Sequence, residues 1–88
     1  MVLKIAGNVT PKDLDDADAL VRRHAPECPW IVIDLTGVES FGDDLCGLLL
    51  RIHVYCRRAG HRVPAIVPSA DLRQLLHIAR LDRVLDVQ

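Results

Sequence analysis

The segment from Trp30 to Leu50 constrains the fold most. Trp30-Ile31-Val32-Ile33-Asp34-Leu35 is an almost unbroken apolar run. A run of this length reads as a strand covered on both faces, as at the centre of a parallel sheet. Thr36-Gly37 breaks it. After a short loop, Leu45, Leu48, Leu49, Ile52, Tyr55 and Cys56 recur at helical spacing, which predicts a helix from about Asp43 to Ala59. An amphipathic helix that follows a buried strand needs a sheet to lie on. The segment alone therefore points to an α/β layered domain.

The rest of the chain repeats this alternation. Val2 to Ala6 has strand character and ends at Gly7-Asn8, a turn signal,. Thr10-Pro11-Lys12-Asp13 opens a helix, with Thr10 as N-cap, Pro11 at the first helical position and Asp13 as the capping-box acid,. Leu14, Ala17, Leu20, Val21 and His24 line its apolar face, and Pro26 and Pro29 close it. Inside the second helix, Gly47 costs about 1 kcal/mol relative to alanine. Close approach of that helix to the sheet is the expected compensation. Arg57 and Arg58 complement the negative helix end, and Gly60 suits a left-handed cap,. Arg62 to Val67 reads as a third strand, which Pro64 makes irregular or places near an edge,. Ser69 caps a third helix carrying Leu72, Leu75, Leu76 and Ala79, and Val84 to Val87 closes the chain as a strand. The expected architecture is a single domain over residues 1–88, β-α-β-α-β-α-β, with a mostly parallel four-stranded sheet and three helices,.

Composition removes several function classes. The net charge is −1 and no basic tract occurs, which argues against a nucleic-acid partner or an anionic membrane surface,. With one Phe, one Tyr and one Trp, the chain lacks the aromatic platform of a single-strand binder,. No apolar run approaches the roughly 20 residues that span a bilayer. The start of the chain does not read as a signal peptide, so the expected location is the cytoplasm. Cys28, Cys46 and Cys56 have neither CxxC nor zinc spacing and read as small buried hydrophobes in a reducing compartment, with a redox role for Cys28, in a predicted loop, as the alternative,.

Catalytic signals are missing. Ser40 and Ser69 have no nucleophile context, the four histidines show no paired-ligand spacing, and no phosphate-binding glycine motif occurs,. His53 reads as a solvated helix residue. Asp43-Asp44 could serve acid/base or metal chemistry only with a third converging group, and the sequence offers none. Their simplest role is an N-cap plus a first-turn acid, worth about 1 kcal/mol. Asp34 reads as a turn-capping acid. Neither an enzymatic activity nor a cofactor or metal is expected.

Ile33-Asp34-Leu35-Thr36-Gly37-Val38 resembles the L-D-L-S-G-V of the STAS domain, the fold of bacterial anti-sigma-factor antagonists. Arg57-Arg58-Ala59-Gly60-His61-Arg62-Val63 and Leu75 to Leu85 are similar to later segments of that family. In the family, the stretch after the strand is a switch ending in D-S-S, whose second serine (or threonine) is phosphorylated by a partner kinase. On this alignment the family Asp falls on Gly42, the first Ser on Asp43 and the phospho-acceptor on Asp44. The resemblance implies a non-enzymatic regulator of transcription that acts by protein–protein contact through Ser40, Phe41, Gly42, Asp43, Asp44 and Leu45. The implied partner is a kinase-type anti-sigma factor. An alternative is an accessory subunit of a transporter or signalling assembly. The family's first strand has no counterpart here, so a bare sheet edge is expected, open to a partner or to a homodimer.

The apolar stripe of the second helix sets a first test. Leu49→Ala should lower unfolding stability by about 2–5 kcal/mol in a denaturant titration. A change within about 0.5 kcal/mol, the range of a surface position, would mean the stripe faces the wrong way.

Overall fold

The helix boundaries follow from local chemistry. The computed structural model describes residues 1–88. Its elements are β1 (Val2–Asn8), α1 (Pro11–His24), β2 (Val32–Ser40), α2 (Asp43–Arg58), β3 (Ala65–Pro68), α3 (Ala70–Ile78), a 3-10 turn (Leu81–Arg83) and β4 (Asp86–Val87). α1 starts in a full capping box: Thr10 N donates to Asp13 Oδ2 at 2.9 Å and Asp13 N to Thr10 Oγ1 at 3.3 Å. These bonds hold the Asp13 carboxyl below its ordinary pKa,. α2 ends in a Schellman motif. His61 N donates to the Cys56 carbonyl at 2.8 Å and Gly60 N to Arg57 at 3.2 Å, with Gly60 at φ +77°,. Ser69 Oγ caps α3 by accepting from Leu72 N at 3.3 Å.

All strand pairs are parallel, in the order β1-β2-β3-β4. Successive right-handed crossovers that advance in one direction put every helix on the same face. The sheet is therefore covered on one side only. Ile33 and Leu35 are 1% and 0% exposed, whereas Val32 and Asp34 between them are half-buried. This corrects the expectation that β2 is covered on both faces. Leu45, Leu48, Leu49, Ile52 and Cys56 of α2 fill the core with Ile33, Leu35 and Ile66. Tyr55, placed in the same stripe by its spacing, is half-buried beside Arg22, whose guanidinium lies 4.5 Å above the ring,.

Other expectations change in instructive ways. β1 ends at Gly7-Asn8 as expected but includes both residues, with Gly7 in the left-handed region at φ +73°. β2 does not break at Thr36-Gly37. Its register against β1 jumps from Lys4↔Asp34 to Ala6↔Gly37, and again from Gly7↔Val38 to Asn8↔Ser40. Each jump gives β2 one extra residue, a β-bulge. The first bulge is held by Asp34, whose Oδ1 accepts from Thr36 N at 3.0 Å and Thr36 Oγ1 at 2.7 Å. Those bonds, with a smaller effect of Lys4, lower the Asp34 pKa. A close approach does require a glycine, but at position 37: a Cβ there would lie 3.0 Å from Ala6 Cβ. Gly47 is exposed, and its Cβ would meet nothing within 4 Å. Leu20 is exposed rather than part of the α1 face. β3 begins after Pro64 and lies between β2 and β4, which lets the proline sit outside the ladder. The closing strand shortens to two residues because Leu81–Arg83 turns as a 3-10 helix.

His53 is the largest surprise. It is 6% exposed, and neither ring nitrogen has a hydrogen-bond partner. Burial is the main cause that pushes its pKa down. The Arg57 cation adds to the shift and Asp86 opposes it,.

Two predictions follow from these positions. Gly47→Ala should stabilise the fold by about 1 kcal/mol, because it gains helix propensity in open space. Gly37→Ala should destabilise by about 1–3 kcal/mol through crowding of Ala6. Paired denaturant titrations read both signs.

The imidazole predicts acid sensitivity. His53 is held neutral in the folded state, so it costs nothing above its ordinary pKa of about 6.5. Below that pH the unfolded chain takes up the proton first, and stability falls until the folded form also titrates. His53→Leu should therefore lose less of its melting temperature between pH 8 and pH 5 than the wild type does. Equal losses would assign the acid sensitivity elsewhere.

Candidate functional site

β2 carries the chain to the C-terminal end of the sheet, where parallel α/β domains place their functional loops. The end of β2 is tied to the end of β1. Ser40 Oγ donates to Asn8 Oδ1 at 2.7 Å, and Val9 N donates to the Ser40 carbonyl at 2.9 Å. The second bulge, between Val38 and Ser40, brings these groups opposite each other. Phe41 is half-buried and packs against the core. Gly42 follows as the N-cap of α2, at φ −104° and ψ −179°, and contributes no side-chain bond.

Asp43 and Asp44 both stand in the first turn and are exposed. Asp43 is thus inside the helix, whereas its type suggested the N-cap. The phase of the helix explains this. Leu45 is fully buried, and so are Leu48 and Leu49, which turns positions 43, 44 and 47 outward,. Leu45 N donates to the Gly42 carbonyl at 3.2 Å and closes the first turn from that residue. The Asp44 carboxylate folds back toward the cap: a Cβ on Gly42 would sit 3.0 Å from Asp44 Oδ1. Neither carboxylate has an ion-pair partner. The partial positive charge of the helix N-terminus stabilises both.

Of the residues named from the sequence, Ser40, Gly42, Asp43 and Asp44 form one exposed corner. Phe41 supports it from below, and Leu45 anchors it in the core rather than touching solvent. Asn8 and the Asp34–Thr36 bonds also shape the corner. Only the D-x-T spacing gave a local signal for the latter, and nothing in the sequence pairs Asn8 with Ser40. Chemically, the corner presents charge. No group of three or more His, Cys, Asp or Glu side chains converges to hold a metal ion, here or elsewhere. Burial pushes the Cys46 and Cys56 thiols up, with Asp43 adding to the effect at Cys46 and Arg22 opposing it at Cys56. That favours the inert thiol over the reactive thiolate.

The sequence profile of the family described as "Mlab, STAS domain" matches residues 1–86. The chain belongs to the STAS domain family. Neither a curated protein nor a solved structure matches it. STAS domains are generally binding and regulatory domains, commonly through protein–protein contact, and that regulatory or accessory role extends to this one. No helix of this STAS domain is long and apolar enough to cross a membrane.

Proposed function

We propose that this STAS domain is a non-enzymatic cytoplasmic regulator that docks its Ser40–Leu45 corner on a protein partner. Asp44 then acts as a fixed charge at the position where antagonist-type STAS domains carry the phosphorylated hydroxyl. The supporting observation is the pair of exposed, unpaired carboxylates in the first turn of α2. In the antagonist-like reading the partner is a kinase-type anti-sigma factor, and the unmodified serine form binds while the phospho-form releases. A phosphoserine carries about −1.5 to −2, against −1 for aspartate in a smaller volume. Asp44 therefore imitates the released form only partly.

A second reading makes the domain an accessory subunit of a transporter or larger signalling assembly. One observation favours it: the first turn of α2 offers acids and no hydroxyl, so binding there needs no phosphorylation. Both readings use the same surface and differ in what the charge does.

Asp44→Ser separates them. The substitution should cost the fold about 1 kcal/mol or less, since it removes one favourable charge at a helix end. In the antagonist-like reading the serine variant accepts phosphate from a kinase-type anti-sigma partner. Before modification it binds that partner more tightly than wild type in titration calorimetry. Charge at such a contact is worth a few kcal/mol. Equal affinities with no phosphate incorporated would remove the switch and leave a charge-independent adaptor.

A further inference from the structure

The outer face of α2 carries a stripe that the single chain does not use. Asp43, Gly47, Leu50, Val54 and Arg57 recur at alternating spacings of four and three residues, so they share one line along the helix,. All five are exposed. Leu50 and Val54 leave large apolar side chains in water, at 37% and 38% exposure. Gly47 borders open space, so nothing within the chain explains a glycine there. Asp43 and Asp44 mark one end of the stripe, and Arg57 and Arg58 mark the other.

Such a stripe is complementary to its own reverse. Turned end for end about Leu50, it sets the acids against the bases and places Val54 over the gap at Gly47. Leu50 meets its own copy. We propose that α2 is a homodimer interface, in which two copies pack their α2 helices antiparallel across a two-fold axis at Leu50. A two-fold contact requires this kind of self-complementarity.

A groove of about 640 Å³ runs beside the stripe. Leu50, Val54 and Tyr55 give it an apolar lining, and Arg22, Arg51 and Arg58 rim it with no carboxylate among them. Arg22 is paired with Asp18 at 3.0 Å, whereas Arg51 and Arg58 have no ion-pair partner. The antiparallel copy brings Asp43 and Asp44 to the Arg58 end of this groove. α2 has 16 residues, about 24 Å of helix, so the contact belongs with the smaller interfaces and forms reversibly,. The unpaired edge of β1 is the rival route to a dimer, but it lacks a matching arrangement of opposite charges.

This inference deepens the expectation of a homodimer and does not depend on which partner the corner binds. Asp43 and Asp44 serve both surfaces, so self-association and partner docking exclude each other.

Sedimentation equilibrium of the full chain alone tests it. Wild type should show a monomer–dimer equilibrium that weakens with salt. The double variant Arg57→Glu/Arg58→Glu and the double variant Asp43→Lys/Asp44→Lys should each dimerise about tenfold more weakly or worse. Mixed in equal amounts, they should recover association, because every acid then faces a base. Circular dichroism confirms that each variant is folded. If the lysine pair unfolds α2, Gly47→Leu replaces it and should give a monomer by filling the gap. A wild type that stays monomeric at all concentrations would overturn the proposal. So would a dimer indifferent to the arginine changes, which would point to β1, or two folded charge variants that fail to associate on mixing.

Discussion

The structure depends on one packing contact: the inner face of α2 against the centre of the sheet. Leu45, Leu48, Leu49, Ile52 and Cys56 meet Ile33, Leu35 and Ile66, and all are at most 1% exposed. At about 1.5–3 kcal/mol per fully buried large side chain, this contact outweighs any polar interaction in the molecule. It also sets the rotation of α2 about its axis. Everything presented on the outer face, from Asp43 and Asp44 to Arg57 and Arg58, is a consequence of that rotation.

The register between β1 and β2 places demands on the backbone. β2 carries two extra residues relative to β1, and each would strand a main-chain group without a partner,. Asp34 resolves the first bulge by accepting from the Thr36 amide and hydroxyl. Gly37 then lets β2 pass Ala6 where an added Cβ would lie 3.0 Å from Ala6 Cβ. The bulges carry Ser40 to the side of Asn8, and so determine where the corner before α2 begins. The site is thus built by the irregularities of β2 as much as by the helix that follows.

The role proposed for the corner rests on fixed charge. Its carboxylates lie where a helix end favours anions, and no group of three or more metal-ligating side chains accompanies them,. This suits the STAS domain family, whose members are generally binding and regulatory domains. The same two acids complete the self-complementary pattern on α2. On the proposed readings a single surface holds a second copy or a partner, and competition between the two needs no conformational change.

Element order, the N-caps of α1 and α3 and the buried stripe of α2 were legible in the sequence because each rests on short-range rules. Thr10-Pro11-Lys12-Asp13 encodes its capping box within four residues, and Leu45 to Cys56 repeats with the helical period. The acid pair at the start of α2 was legible for the same reason, since the chain positions it directly. The bulges of β2, the need for glycine at position 37 and the Asn8–Ser40 bond were not. Each depends on how β1 and β2 are registered, across a separation of about 30 residues that no local pattern reports,. His53 follows the same logic. Its type predicts solvent, but the rotation that buries Leu49, Ile52 and Cys56 carries it inside with no partner for its ring. Sequence alone determined the order and type of the helices and strands, though not the bounds of the strands. Tertiary packing decided the strand register and which residues at the margin of each apolar face go inside, because burial acts on the whole assembled surface and not on neighbours along the chain.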